Sequence, residues 1–475
     1  MTITPGRLSL SAPRLAELGL SPPFEILAEA NLVGWQELWP PLSLDQAVAT
    51  AFDNSPALQS TRATVAADNT AVASSWSAWS PQVGASVSAS QIDPKVASAF
   101  QAQTTVTGAL TAQQLIYSDG ARVNVNMQRD LRTSRMHELS AAEQDLTYQV
   151  IASYIGLLRR RALVDLYRAD LDRVRLSLDV ARERMRVGDV AESEVFRWES
   201  EIASTRANLT AAWVDVMSST MKVNQVCGRP ASELFVPAPT GEDLPDLTQL
   251  LTSPKKLEAV RMAAGRAAQS MAPVVQQLDS VVSARERYAR STRRAYFMPT
   301  VAGQFSVNAN VYQSELAQVA PPPDLYWTVG GSISLPLFEG MGRRATQRES
   351  NHDLAATQQQ RERSRQAVTV QAMDAVNQAY GAATRARLGQ DQVEAVHRSL
   401  DASLDAYARG ATTLTTITEA RTASLKAEIA ATDSRYEAIQ RMYDVLYATG
   451  SLATPNEPER PLALRNTLRS SLEAP

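Results

Sequence analysis

Few residues of this chain combine the type and the spacing that bond-making chemistry requires. The three histidines, His137, His352 and His397, stand far apart, and neither an HExxH motif nor a nucleophile elbow occurs. We interpret them as surface or hydrogen-bonded helical side chains. Cys227 is the only cysteine, which excludes a disulfide framework and a cysteine metal cluster, so we interpret it as a small buried thiol. The sequence predicts a protein that is not an enzyme and holds neither a metal nor a cofactor.

One segment has the form of a ligand-binding loop. Residues 340–345 read GMGRRA, and they follow a predicted strand and open a predicted helix, as a dinucleotide-binding loop does. The helix that follows is many times longer than a βαβ crossover allows, and no parallel strand comes after it. Nucleotide binding is therefore not expected.

Composition and charge favour an elongated helical molecule. The chain has 475 residues, a net charge of −3 and only 6% aromatic residues. Its lysines and arginines are spread among acidic residues, which is typical of solvated helix surfaces. A nucleic-acid partner is therefore not expected.

The hydrophobic segments are too short for membrane-spanning helices, since no run of 18 apolar residues occurs. Residues 1–23 are interrupted by charges and prolines, unlike a secretory signal, and no cysteine near the N-terminus could carry a lipid. Taken alone, this segment favours a cytoplasmic protein or a chain whose signal is missing or unusual.

Long helices are predicted by the placement of proline. Between Pro336 and Pro455 lie 118 residues without proline, rich in alanine, glutamine, arginine, glutamate and leucine. Gly410 interrupts this stretch within the sequence YARGATT, which predicts a turn between two helices. Just before it, residues 326–337 alternate between apolar and polar side chains, as a strand does.

The same plan occurs twice, and this duplication is the strongest organisational signal. Each copy reads as helix, proline break, helix, two alternating strands and a long helical hairpin with a central glycine. Matched positions are separated by 217 to 222 residues. The pairs are Pro56 with Pro273, Pro81 with Pro299, Tyr117 with Phe338, and Gly188 with Gly410.

These signals predict five segments. An irregular N-terminal segment with short helical pieces (1–41) precedes the first repeat (42–229), whose strands are expected at about 82–91 and 104–117. A proline-rich linker (230–253) leads to the second repeat (254–450), with strands at about 300–312 and 325–337. A tail (451–475) follows. Each hairpin arm is on the order of 100 Å long if wholly helical, so it must pack as a coiled coil does.

The four strands allow two interpretations. Their length and alternation suit either a half-buried soluble sheet or a membrane-spanning wall with a lipid-facing side. Aromatic residues where strands meet helices favour a membrane-interface girdle, although they could also plug a helix–sheet junction. These residues are Trp76, Trp79, Tyr117, Tyr296, Phe297 and Phe338. Four strands cannot close a barrel, so the membrane interpretation requires a homotrimer with twelve strands.

With these features the chain resembles the TolC family of outer-membrane ducts, over about residues 42–450. The resemblance rests on the duplicated plan with matched spacing, the NSP segment at 54–56, the PLFEG segment at 336–340 and the two hairpin glycines. It implies a mainly α fold with two membrane β-hairpins per protomer. Three protomers would form a trimeric α-helical barrel through the periplasm, topped by a 12-stranded β-barrel in the outer membrane.

The resemblance also implies a gate at the periplasmic tip. Tyr407 is similar to the family's tyrosine that bonds an acidic residue, here Glu194, although simple packing and a solvated acid remain the alternative. Family rings of acidic residues correspond to Thr416, which departs from the pattern, and to Glu419. An adaptor would dock on residues around the two turns: Val187, Gly188, Asp189, Arg409, Gly410 and Leu414.

The implied function is passive transport. The absence of an N-terminal lipid anchor favours a type I secretion outlet for a polypeptide, such as a cyclolysin-type secretion protein, working with a periplasmic adaptor and an inner-membrane ABC transporter. One alternative is the outer-membrane component of multidrug efflux. An alternative of another class is a periplasmic or soluble coiled-coil scaffold or adaptor.

Overall fold

The computed structural model describes residues 9–11, 31–33, 39–94, 102–239, 254–314 and 323–473. In the described part of the N-terminal segment, β1 (Ser9–Ser11) pairs in parallel with β2 (Asn31–Val33). The third strand, β3 (Pro41–Leu42), pairs with β6 (Val236–Pro237) from the linker. Proline favours extended backbone and lacks an amide donor, which suits such short pairings. The rest of the predicted 1–41 segment, and the linker beyond residue 239, lie largely outside the described residues.

The first repeat has the expected order of elements. Its elements are α1 (Leu44–Asn54), α2 (Pro56–Ser77), β4 (Gln82–Gln91), β5 (Thr104–Tyr117), α3 (Asp119–Arg186) and α4 (Glu192–Cys227). Ser43 caps α1 in a reciprocal capping box with Gln46. Pro56 then begins α2, because its missing amide costs nothing at a first helical position.

The second repeat follows the same order. Its elements are α5 (Pro254–Met271), α6 (Pro273–Arg294), β7 (Thr300–Gln313), β8 (Leu325–Ser334), α7 (Gly342–Ala408) and α8 (Leu414–Ala448). A last helix, α9 (Arg460–Glu473), lies in the tail. The predicted fold class, mainly α with two β-hairpins, is confirmed.

Strands β4, β5, β7 and β8 form one antiparallel sheet in the order β4-β5-β7-β8. The expectation that the last strand reaches residue 337 is wrong, since β8 ends at Ser334. Pro336 lacks the amide that a further ladder bond would need. Leu337 is accordingly 89% exposed.

The two hairpin turns have the same backbone. Gly188 and Gly410 are both left-handed, with φ of 80° and 73°. The residue after each glycine donates its amide five residues back: Asp189 to the Arg184 carbonyl at 2.9 Å, and Ala411 to the Ala406 carbonyl at 2.8 Å. This closure satisfies the last carbonyls of α3 and α7 and reverses the chain.

The far ends of the hairpins are also duplicated. Gly228 follows α4 with φ 66°, and its backbone lies so close to Asn54 that an added Cβ would be 2.7 Å from the Asn54 Cβ. Gly450 follows α8 with φ 69°, and an added Cβ would be 2.7 Å from the Ala272 Cα. Both contacts fall shortly before a proline that begins a helix, Pro56 or Pro273.

The chain divides into two compact units, and each contains parts of both repeats. One unit comprises 1–59, 140–272 and 365–475, and includes both hairpin turns. The other comprises 60–139 and 273–364, and includes the sheet. Cys227 is fully buried in the first unit, and burial raises the pKa of its thiol to about 11, so it is an inert core thiol as expected.

Candidate functional site

The hairpin turns of the first unit enclose an apolar cluster, here named the tip cluster. It joins residues from all four hairpin helices. Its members are Val174, Leu178, Ala181, Val195, Trp198, Tyr407 and Ile417. Trp198 is completely buried and Tyr407 is 3% exposed. A tyrosine buried this deeply needs a partner for its hydroxyl, because an unpaired buried polar group is costly.

That partner is Glu194. The Tyr407 hydroxyl donates a hydrogen bond to the Glu194 Oε1, across 213 residues of sequence and between α7 and α4. We name this hydrogen bond the latch. Glu194 lies in the first turn of α4, where the helix dipole favours a carboxylate. The structure thus brings together the two residues that the sequence analysis paired.

Arg184 completes the site from α3. Its guanidinium carbon lies 4.6 Å from the centroid of the Tyr407 ring, and its Nε donates to Asp189 Oδ2 at 2.7 Å. The cation–π contact and the ion pair hold the guanidinium between the two turns. Three helices therefore supply the latch and its support.

The pKa of Tyr407 is raised above its ordinary value. Burial is the main cause, because it disfavours the phenolate, and the hydrogen bond to the Glu194 carboxylate adds to the effect. The guanidinium of Arg184 opposes this rise. Tyr407 is thus a neutral donor at physiological pH, and the latch is a charge-assisted hydrogen bond.

The other two predicted gate residues lie on α8 and do not touch the latch pair in the contacts described. The backbone amide of Thr416 donates to Thr413 Oγ1 at 3.4 Å, so Thr416 contributes to the cap of α8. Glu419 is exposed, one turn further along the helix.

The predicted docking residues differ in exposure. Val187 is 78% exposed, and Gly188, Asp189, Arg409 and Gly410 are also exposed. Leu414 instead packs, half-buried, against the tip cluster. The turns therefore expose the apolar side chain of Val187 together with charged side chains. Leu414 is part of the packing of the tip cluster.

Sequence reasoning missed Arg184 and Trp198. The signal for Trp198 was present, since a tryptophan four residues after Glu194 on a helix must face the same side. Arg184 carried no such signal, because arginines occur throughout both hairpins.

The second unit holds all six predicted interface aromatics, at the ends of α2, β5 and α6 and before α7. Phe297 and Phe338 are 79% and 80% exposed. The others make local contacts: Arg129 lies over the Trp76 ring at 5.5 Å, Arg343 over the Tyr296 ring at 5.6 Å, and the Tyr117 hydroxyl donates to Met298 Sδ at 3.4 Å. Trp79 is half-buried and accepts a bond from Gln114 at its carbonyl.

The sheet of this unit exposes a large apolar surface. Val87 on β4 is 78% exposed, and Trp327, Val329 and Ile333 on β8 are 67%, 71% and 76% exposed. The alternate residues are hydroxyl side chains that bond across strands. These pairs are Ser88 with Thr107 at 2.8 Å, Ser90 with Thr105 at 2.7 Å, and Ser306 with Thr328 at 2.7 Å. A contiguous apolar face of this kind marks contact with lipid or protein.

Other site types find no support in the part of the chain that the structure describes. No group of three or more metal-ligating side chains occurs within the described ranges. Among the helices of the same ranges, none is apolar over a length sufficient to cross a membrane. At residues 340–345, Arg343 pairs with Glu339 at 2.9 Å, and the helix that follows runs for 67 residues after an antiparallel strand.

A duplicated helical hairpin protein with a lipid-compatible sheet is the architecture of outer-membrane transport channels. The family model "Outer membrane efflux protein" matches residues 47–229 and 264–451, well over half of the chain. The chain therefore belongs to the outer membrane efflux protein family, whose members are transport channels of the outer membrane and not enzymes.

Individual proteins are similar along most of their length. The outer membrane efflux protein BepC of Brucella suis is 24% identical over 420 residues, which cover 86% of each chain. The structure resembles the outer membrane protein VceC of Vibrio cholerae with a TM-score of 0.69 and 17% identity, over 86% of this chain and 96% of that one. It also resembles the Campylobacter jejuni CmeC outer membrane channel with a TM-score of 0.67 and 13% identity, over 90% and 89%. The resemblance to TolC-type channels is confirmed, and the soluble scaffold alternative is wrong.

Proposed function

We propose that this protein is the passive outer-membrane conduit of a multi-component exporter. The main support for this proposal is that the family match covers both repeats. The exposed apolar face of the sheet supports it further. The chain itself makes and breaks no covalent bond. An inner-membrane transporter supplies the energy, and a periplasmic adaptor connects the two.

The working assembly is a homotrimer. Within the described residues, β4 and β8 are the outer strands of the sheet and each pairs on one side only. A membrane tolerates no unpaired strand edge, so β4 of one copy must pair with β8 of the next. Three copies would join twelve strands, and six hairpins would line the helical tunnel.

The latch is the proposed periplasmic gate. In the conducting state Tyr407 and Glu194 separate, which moves the second hairpin away from the first at the turns. The exposed Glu419 of three copies would form a carboxylate ring that attracts cations. The adaptor docks on the exposed residues of both turns, from Val187 to Asp189 and at Arg409 and Gly410.

Two cargo classes fit a conduit of this kind. Small toxic molecules are favoured by the relatives, since BepC is described as an efflux protein. A polypeptide delivered by an ABC transporter in type I secretion is the second candidate, and it stays a prediction. A strain without the gene separates them: it should accumulate a fluorescent cationic dye in the first case, and should fail to release the polypeptide in the second.

The conduit itself is tested with the purified protein in planar lipid bilayers. We expect a crosslinked mass three times that of one chain and discrete, long-lived conductance steps. A soluble monomer or dimer without conductance contradicts the proposal.

A further inference from the structure

Arg421 forms a buried ion cluster that the latch does not use. Its Nη1 donates to Asp170 Oδ2 at 2.7 Å, and its Nη2 donates to Glu201 Oε2. The side chain of Arg421 is 8% exposed and that of Asp170 is 1% exposed. We name this three-residue arrangement the clamp.

The clamp joins both hairpins through three helices. Asp170 lies on α3 and Glu201 on α4, the two helices of the first hairpin, whereas Arg421 lies on α8 of the second. One guanidinium therefore fixes the second hairpin to both helices of the first. Its planar fork suits this task, because each terminal nitrogen can serve a different carboxylate.

Latch and clamp follow one another along α4. Glu201 comes seven residues after Glu194, which is about two helical turns or roughly 10 Å on the same helix face. The next step on α8 is similar: Glu428, seven residues after Arg421, pairs with Arg173 at 3.1 Å and with His397 at 2.5 Å. Polar ties between the hairpins are thus layered inward from the turns.

The outer and inner ties differ in what it costs to break them. The latch joins a neutral phenol to a half-buried carboxylate, so breaking it leaves no fully buried charge without a partner. Separating the clamp leaves the buried guanidinium of Arg421 and the buried carboxylate of Asp170 without each other, which is far more costly. Burial already raises the pKa of Asp170, against the opposing effect of Arg421, as expected for a carboxyl that depends on its partner.

We propose that the clamp is the fixed pivot of the gate: Arg421 stays bound to Asp170 and Glu201 while the latch breaks, and the turns move about it. This inference rests on the proposed gate. Arg421 is accordingly a positioning residue, since it limits how far the second hairpin moves and touches neither the latch nor the cargo.

The clamp has no counterpart at the matching positions of the other repeat, among the described residues. The position 222 residues before Arg421 is Glu199, which pairs with Arg182 of its own hairpin at 2.9 Å. The first hairpin therefore offers no equivalent guanidinium to the second at that position.

Hydrogen exchange of backbone amides in the full-length trimer tests the pivot, because it reports opening segment by segment. The segments to compare are the turns (184–194 and 405–416) and the clamp (167–173, 198–204 and 418–424). For Tyr407→Phe we expect exchange at the turns to rise about tenfold, the factor for a loss of roughly 1.4 kcal/mol, while exchange at the clamp changes less than about twofold. A parallel rise in both segments overturns the pivot.

Variants of the clamp itself give the second readout. Glu201→Gln keeps the shape of a partly exposed side chain and should raise exchange at the clamp without raising single-channel conductance. Arg421→Met should do the same more strongly, and Arg421→Lys should restore part of the protection. If Arg421→Met fails to fold, Glu201→Gln still decides. Conductance that rises to the Tyr407→Phe level with unchanged clamp exchange makes Arg421 a second latch and overturns the pivot. If the wild-type protein shows no conductance, the proposed function is contradicted. The hydrogen-exchange pattern would still test whether the clamp stays closed when the latch breaks.

Discussion

The two hairpin turns have the same backbone and different side-chain contacts. Gly188 and Gly410 take the same left-handed conformation and close the same hydrogen bonds. The residue seven positions after each glycine is also matched, since Val195 and Ile417 are both apolar and buried. The polar contacts are not matched: the latch joins α4 of the first hairpin to α7 of the second.

The positions related by 222 residues make this difference explicit. Tyr407 corresponds to Met185, and Glu194 corresponds to Thr416. Met185 is 38% exposed and Thr416 contributes to a helix cap, so among the described contacts these two positions do not form a hydrogen bond equivalent to the latch. The two repeats thus share a backbone scaffold, and a few different side chains give only one of the two matched pairs of positions the hydrogen bond of the latch.

The shared features should respond equally to the same change, and the glycines beyond the hairpins should show the largest effect. We expect Gly228→Ala and Gly450→Ala each to cost about 3 kcal/mol, because the new Cβ would lie 2.7 Å from the Asn54 Cβ or the Ala272 Cα and the φ is left-handed. Thermal unfolding followed by far-UV circular dichroism measures this. Gly156→Ala, in a helix where nothing lies within 4 Å, is the control and should be neutral or stabilising. A clear loss of stability at only one of the two glycines, Gly228 or Gly450, would contradict the equivalence of the two repeats.

The unshared ion pairs should respond unequally. Glu428 accepts from Arg173 and His397, whereas its 222-residue counterpart is the exposed Arg206. We expect Glu428→Gln to cost about 2 kcal/mol and Arg206→Gln less than about 0.5 kcal/mol at neutral pH. Equal costs would show that the ion pair adds nothing to the second hairpin.

The same pair predicts a pH dependence. Burial alone would raise the pKa of Glu428, but its bonds with Arg173 and His397 more than offset this and lower it. A carboxyl with a lowered pKa stabilises the fold above its unfolded value of about 4.3 and loses that contribution as the pH falls through the folded value. The difference in unfolding temperature between wild type and Glu428→Gln should therefore persist at neutral pH and vanish in acid. A difference that grows in acid contradicts this assignment.

The turn glycines should again be matched, with a smaller effect. Nothing lies within 4 Å of an added Cβ at Gly188, and at Gly410 only Arg184 Nη2 lies that near, at 3.8 Å. Gly188→Ala and Gly410→Ala should each cost only the strain of a left-handed alanine, about 1 kcal/mol. Denaturant unfolding checks this. Costs that differ by more than about twofold would indicate that the two turns are not equivalent.

Introducing a second latch at the corresponding positions, Met185 and Thr416, should have the smallest effect. We expect Met185→Tyr combined with Thr416→Glu to lower the open probability several-fold, as one added hydrogen bond allows. Met185→Phe with Thr416→Gln is the matched control. Single-channel recording measures the change, and an unaltered open probability would show that the backbone match does not extend to side-chain geometry.

The sequence predicted most of the scaffold because periodicity, proline and glycine act locally. Such signals predicted the strands that begin at Gln82 and Thr104 and both hairpin turns. The end of β8 was misplaced by three residues, since alternation continued through Pro336 while the hydrogen-bond ladder could not.

The site was less accessible to sequence reasoning. Tyr407 and Glu194 were paired through the resemblance to a known family. Arg421 gave no signal, because Asp170 and Glu201 lie 251 and 220 residues away from it in the chain. Contacts between helices at such separation depend on the register of the hairpins, which no local pattern reports.

Single-channel recording of the open probability of Tyr407→Phe tests the central claim most directly. This change removes one hydroxyl group and leaves the rest of the side chain to pack as before. We expect the open probability to rise roughly tenfold, because the lost bond joins a phenol to a carboxylate. Tyr167→Phe, on α3 about 30 Å before the turn, is the control and should behave as wild type. If Tyr407→Phe also behaves as wild type, the hydrogen bond to Glu194 is structural and the gate lies elsewhere.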